Sequence, residues 1–267
     1  MVEREPAVAG FFYPSSPKEL SGVIKGMLAE TAGIGHEGSV IGAVVPHAGY
    51  VYSGRTAAIS YSAVRDSGKR RFVIAGPNHE GFPPYTATYS SGAWKTPLGS
   101  CDIDGELASR FSGITLEDEV ANRSEHSVEV QLPFLQVICD RNFSFFPLIL
   151  GDQRKIVAME IGRIAAGMGK ETVFIASSDL THYKPEETAR KRDMKLIDRI
   201  VALDLDGFYS TLVTEDVSAC GYGAIAALIQ YTKLVGGRMI LTGYDTSGTA
   251  SGDHRSVVGY PSLIAVA

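Results

Sequence analysis

The chain has 267 residues, enough for one large α/β domain or two small ones. Hydrophobic residues make up 45%, charged residues 21%, and the formal net charge is −5, an ordinary globular composition without a basic run for nucleic acid. No stretch approaches the ~18 apolar residues of a membrane span, and the N-terminal MVEREPAVAGFFYP lacks the apolar core of a signal peptide.

Three scattered cysteines, Cys101, Cys139 and Cys220, do not make a disulfide framework. A cytoplasmic protein with reduced thiols is expected. Residues 16–30 read as a first helix, with Ser16 as N-cap and Pro17 at the first helical position. Glycines around His36 mark a loop, where that histidine is expected to be solvated. An apolar strand over 39–45 breaks at Pro46 and is followed at once by His47. The segment 53–68 has helical spacing at Ala57, Ala58, Tyr61 and Val64. A second apolar strand, RFVIA, runs into Gly76, Pro77, Asn78 and His79.

Strand, helix, strand is a βαβ unit with parallel strands. His47 and His79 therefore follow strand ends at one edge of a sheet, the edge where open α/β sheets place ligands. Residues 85–104 read as strands joined by a turn, and 104–113 as a short helix. EHSVEVQLPFLQVIC, residues 125–139, reads as one helix with an apolar stripe despite Pro133. FSFFPLIL is a strand and residues 153–168 a helix. TVFIASSDLTHY is a third parallel strand running out into polar residues and His182. A helix over about 186–203, rich in Arg and Lys, is expected to be a solvated outer face. SACGYGAIAALIQYTKLVG is an apolar helix entered through Cys220, and two closing strands flank the polar loop TSGTASGDHR. With no repeat and no linker, the expectation is one α/β domain over 1–267. Its sheet is mixed and largely parallel, with helices on both faces.

The strand ends carry the candidate chemistry. A buried histidine alone is as readily structural, a buried cysteine alone reads as inert, and Asp179 alone reads as a turn or cap residue. Together, His47, His79 and Cys220 offer two imidazoles and a thiolate, a donor set suited to iron, copper or zinc rather than magnesium or calcium. Ser218 is expected to cap the helix behind it. Cys220 would then sit in the first turn with its thiol pKa below that of free cysteine. Asp179 and His182 share one short loop, a pairing that orients an imidazole for proton transfer. His126 and Glu129, spaced i, i+3, share a helix face and add acid/base capacity. Glu125 closes a capping box with Asn122. His254 reads as a solvated loop residue, and Cys101 and Cys139 as structural.

Seven motifs in order, AVAGFFYP, PHAGYVYSG, GPNH, EHSVEVQLPFL, SSDLTHY, CGYGA and VVGY, resemble the Memo family nearly end to end. Prokaryotic members of that family are often labelled AmmeMemoRadiSam system protein B. The resemblance implies a fold similar to class III extradiol non-haem iron dioxygenases. In that comparison His47 and His79 match two iron ligands, Cys220 stands where those enzymes have glutamate, and His182 matches their acid/base histidine. A thiolate is softer than a carboxylate and open to oxidation, so ring cleavage does not carry over with the fold. The reading implied is a metal-dependent redox enzyme using Fe(II) or Cu on a small-molecule substrate. A non-catalytic peptide-binding module is the alternative, and a zinc hydrolase with Glu129 or Asp179 as base ranks below both. Partners of the AMMECR type and radical SAM proteins are implied by the resemblance; nucleic acid and membrane are not.

Overall fold

The structure, a computed structural model, describes residues 3–31, 37–81 and 83–267. His36 lies outside them. In chain order the elements begin with β1 (Glu3–Arg4), α1 (Pro17–Glu30), β2 (Val40–Val45), α2 (Tyr50–Asp66) and β3 (Arg71–Pro77). Next come β4 (Thr86–Thr88), β5 (Ala93–Thr96), β6 (Gly99–Ile103), α3 (Gly105–Phe111), β7 (Leu116–Glu117) and α4 (Glu119–Arg123). A 3₁₀ turn at Glu129–Gln131 leads into α5 (Leu132–Ile138), followed by β8 (Ser144–Leu150), α6 (Lys155–Ala165) and β9 (Thr172–Ser177). The chain continues with β10 (His182–Lys184), α7 (Glu186–Val201), α8 (Leu205–Thr214) and α9 (Tyr222–Leu234). It closes with β11 (Arg238–Thr246), α10 (Ser247–Ser251) and β12 (Val257–Val266).

The described strands form one sheet whose main path is β1-β5-β6-β8-β3-β9-β2-β12-β10. Its centre, β6 through β2, is parallel, and β12 is antiparallel to β2, β10 and β11. Alternate residues of each central strand feed opposite cores. Phe72 and Ile74 of β3 face the side packed by α1, α2 and α5, while Val73 and Ala75 face the side packed by α3, α6, α7, α8 and α9. Burial on both faces is why these strands read as continuous apolar runs. Ser16 caps α1 as expected, accepting from the Glu19 amide. The expected turn is the β5–β6 hairpin. Cys101 and Cys139 are buried free thiols. Among the described residues, no helix is long and apolar enough to cross a membrane.

Three expectations are corrected, and one unassigned segment proves to be a helix. Residues 125–139 are not one helix. Pro133 lacks an amide hydrogen and belongs in a first turn, so α5 starts at Leu132 and residues 124–128 are irregular. The polar loop 246–255 contains α10, and exposed His254 pairs there with Glu186 through Nδ1 at 2.5 Å. The segment 205–214, unassigned from sequence, is α8, capped by Asp204. Finally, α7 is amphipathic rather than a solvated face: Ala189, Asp193, Leu196, Ile197 and Ile200 are buried.

Asp193 is a buried carboxylate in mid-helix. Its Oδ1 accepts from the Thr181 amide (3.1 Å) and hydroxyl (2.6 Å), and its Oδ2 from the Tyr244 hydroxyl (2.7 Å). It thereby ties α7 to β11 and to the residue just before His182. Asp193→Ala leaves three donors without their acceptor, an expected loss of about 3 kcal/mol or more. Urea unfolding reads this as a lowered midpoint. A change below about 1 kcal/mol would mean that the three donors find other partners.

Candidate metal centre

Strand β9 lies between β2 and β3, so the three carboxyl ends sit side by side. His47 leaves β2 two residues past its end, and its amide donates to Asp179 Oδ1 at 2.9 Å. Its Nδ1 lies 2.9 Å from Ser177 Oγ. The Ser177 hydroxyl donates to the Ser127 carbonyl (2.6 Å) and accepts from Gln131 Nε2 (2.9 Å). With its one hydrogen committed, Ser177 Oγ must accept from His47 Nδ1–H. The ring is thereby fixed with Nε2 bare, and Nε2 lies 3.1 Å from Cys220 Sγ. Burial holds the pKa of His47 well below the ordinary histidine value, so the ring is neutral.

His79 is anchored by Glu125. The carboxylate accepts from His79 Nδ1 at 2.9 Å, from the His79 amide at 2.7 Å and from the Ser127 amide at 2.7 Å. Burial alone would raise Glu125, but the His79 hydrogen bond and charge win and hold it at about 2. His79 moves the other way: burial opposes its charge, yet Glu125 lifts its pKa overall. With Nδ1–H engaged, neutral His79 also leaves Nε2 bare. The loop carrying Glu125 lies against the end of β3, where a Cβ on Gly76 would run into the Ser127 side chain.

Cys220 comes in over β9. A Cβ on Gly221 would collide with the Ser177 carbonyl, and the Gly221 amide donates to Ser178 Oγ at 2.9 Å. Gln153 fixes the segment from the far side, donating to the Cys220 carbonyl at 2.8 Å and accepting from the Gly223 amide at 2.7 Å. Cys220 Sγ accepts from the Asp179 amide at 3.2 Å. One donor atom each from His47, His79 and Cys220 lies within 4.8 Å of the others. A second group with the same closeness is His79, Glu125 and His126.

The expected cap on Cys220 is corrected. Helix α9 starts at Tyr222 after Gly221, without a side-chain cap, so Cys220 precedes the helix. Ser218 serves His182 instead. Burial and the Asp179 carboxylate push the Cys220 thiol up, not down. The expected Asp179–His182 hydrogen bond is replaced as well. Asp179 faces the His47 backbone, and burial lifts its pKa to about 6. His182 donates its amide to Ser218 Oγ (2.8 Å) and Nδ1–H to the Ser218 carbonyl (3.0 Å), so the neutral ring has Nε2 bare. His182 lies close enough to His47 and Asp179 to act electrostatically on both whenever it is protonated.

His126 joins the cleft and Glu129 does not. The His126 ring stacks on His79 with centroids 4.5 Å apart and meets His47 edge-on at 5.5 Å. Burial lowers its pKa. Because the chain is irregular before the 3₁₀ turn, the i, i+3 relation fails. Glu129 turns to the N-terminal segment, where Arg4 pairs with it at 2.5 Å. Asn122 and Glu125 form no capping box, since Asp118 caps α4. Ser177, Gln131 and Gln153 are site residues that motif reading passed over, and Glu125 and Ser218 were read only as caps. The polar run SSD and the acid beside His126 were the only signals.

Comparison with known proteins agrees with the motifs. The Memo-like protein family matches residues 4–264. A MEMO1 family protein of Thermoplasma acidophilum is 49% identical over 268 residues, covering 99% of each chain. One from Thermoplasma volcanium is 47% identical with 98% of each chain covered, and one from Methanosarcina barkeri is 43% identical with 98% of this chain and 99% of its own. The crystal structure of an uncharacterized protein from Escherichia coli K12 matches 84% of this chain and 99% of its own, with a TM-score of 0.52 at 13% identity, a likeness of fold alone. The match across residues 4–264 and the full-length relatives place this chain in the Memo-like family.

Proposed function

We propose that this protein is a metal-dependent redox enzyme in which His47, His79 and Cys220 hold one transition-metal ion, Fe(II) or copper ahead of zinc. The observation that carries the reading is the convergence, within 4.8 Å, of two imidazole nitrogens from beyond the ends of β2 and β3 and a sulfur from the segment before α9. The tautomers fit as well. His47 and His79 each spend Nδ1–H on a buried oxygen, the arrangement that holds ligating imidazoles in place. A bound Fe(II) or copper ion would supply one-electron chemistry and open coordination positions for a small molecule. The protein supplies the rest. His182 Nε2 accepts a proton from the substrate, and the resulting imidazolium keeps its Nδ1–H on the Ser218 carbonyl. Asp179 holds the His47 backbone in place, and Gln153 holds Cys220.

The likeness to extradiol dioxygenases belongs to this proposal, as does the choice of metal. The zinc-hydrolase reading loses one of its bases, since Glu129 is fully consumed outside the cleft. Exposed Phe11, Tyr52 and Tyr183, each close in sequence to a cleft residue, favour peptide binding as the second reading. Fe(II)-dependent oxygen uptake supports the first. Peptide binding that survives loss of His47 supports the second.

Cobalt(II) titration under anaerobic conditions tests the ligand set. Wild type is expected to show a sulfur-to-cobalt charge-transfer band that Cys220→Ser lacks, and His47→Ala should weaken binding sharply. The pH dependence has a definite sign. The thiol is raised and therefore protonated at neutral pH, so binding must expel its proton and affinity falls as pH falls. Each proton expelled gives about a tenfold change per pH unit, and Cys220→Ser should lower the slope by one proton. An unchanged slope in that variant would remove the thiolate from the ligand set.

His182→Ala is expected to keep the cobalt spectrum and to lose about 10²- to 10⁴-fold in Fe(II)-dependent oxygen uptake. Loss of cobalt binding equal to that of His47→Ala would make His182 a ligand instead.

A further inference from the structure

We propose that Glu129 is a positioning residue that straps the N-terminal segment, Arg4 to Tyr13, across the loop carrying Glu125, and that this strap governs how firmly His79 is held. The Glu129 side chain is fully buried. Its carboxylate accepts from Arg4 Nη1 (2.5 Å), the Ala7 amide (2.8 Å), the Val8 amide (3.0 Å) and the Tyr13 hydroxyl (2.6 Å). Four donors fill the acceptor capacity of a carboxylate and leave nothing for a substrate.

Arg4 carries the effect onward. Its Nε donates to the Asn122 carbonyl at 2.6 Å and its Nη2 to the Glu125 carbonyl at 2.7 Å, while its guanidinium lies 4.1 Å from the Trp94 ring centre. One buried cation thus pins the loop at two points, and the side chain of Glu125 holds both the amide and ring of His79. The strap also touches the other ligand segment. The Phe12 carbonyl accepts from the Tyr50 amide (2.7 Å), three residues past His47, and the Phe12 ring meets His126 edge-on at 4.7 Å. Without the Glu129 charge, Arg4 would be a buried cation lacking its counter-ion, so it must leave its seat and release both carbonyls. A plug that merely fills space would loosen only itself.

The test is amide hydrogen exchange on the full chain without added metal, comparing wild type, Glu129→Gln and Tyr13→Phe. In Glu129→Gln the His79 and Ser127 amides, both bound to Glu125, should exchange about tenfold faster or more, together with Ala7 and Val8. Tyr13→Phe removes one of four donors and should show a smaller acceleration at the same amides; it carries the comparison if Glu129→Gln does not fold. Acceleration confined to Ala7 and Val8 overturns the proposal. A second arm rests on the metal reading. Cobalt(II) should slow exchange at Ala7 and Val8 in wild type, and Glu129→Gln should bind cobalt more weakly while keeping the Cys220 charge-transfer band, because coupling is reciprocal. Equal cobalt affinity and spectrum in the two proteins would count against the strap. If wild type binds no cobalt, the metal reading fails and the metal-free exchange still decides the strap.

Discussion

Parallel alignment of β2, β9 and β3 is the constraint on which the site depends. Strands that run in one direction end at one edge, and with β9 in the middle the segments after β2 and β3 flank the segment after β9. His47 and His79 are thereby close, their ring centres 5.2 Å apart. Ser177 at the end of β9 orients His47, and Ser178 and Asp179 receive the Cys220–Gly221 segment from above. An antiparallel neighbour in place of β9 would send its end to the other side of the sheet and dissolve the cluster.

Around that edge, buried carboxylates do separate work. Glu125 and Glu129 are four residues apart and equally hidden, yet one holds a cleft histidine and the other the N-terminal segment. Asp179 holds the backbone after β2, and Asp193 holds the backbone before His182. A buried carboxylate is tolerated only when its oxygens are saturated. Glu129 is saturated by four donors from the N-terminal segment, and Glu125, Asp179 and Asp193 are held by donors that come mostly from distant parts of the chain. The cost of burying charge is thus converted into fixed geometry for histidines that would otherwise rotate.

The cleft is correspondingly asymmetric. His47, His79 and His126 form a packed trio of rings on one side, and His182 stands apart on β10 with its own carbonyl partner. Rings packed close together suit coordination, and a separate ring with one bare nitrogen suits proton transfer. Under the proposed reading, the same donor atoms would serve two roles, set by the partner of each Nδ1.

Local pattern was sufficient for the parallel strands and their terminal histidines. Uninterrupted apolar runs such as RFVIA mark strands buried on both faces, and the break into Pro46-His47 or Asn78-His79 marks where each strand ends. The Ser16 cap on α1 was legible for the same reason, since cap and amide are three residues apart. The partners of the site residues were not legible. Glu125 and His79 are 46 residues apart, Ser177 and His47 are 130 apart, and Gln153 and Cys220 are 67 apart. Helical periodicity assigned Glu129 to the face of His126, but Pro133 shifted the helix start and Arg4 supplied a counter-ion from 125 residues away. The charged look of α7 hid Asp193, because composition averages over a helix while burial is decided face by face. Sequence alone determined which elements form and where their polar ends lie, because those depend on neighbours in the chain. Which carboxylate meets which histidine was decided only by tertiary structure, because a hydrogen bond depends on distance in space.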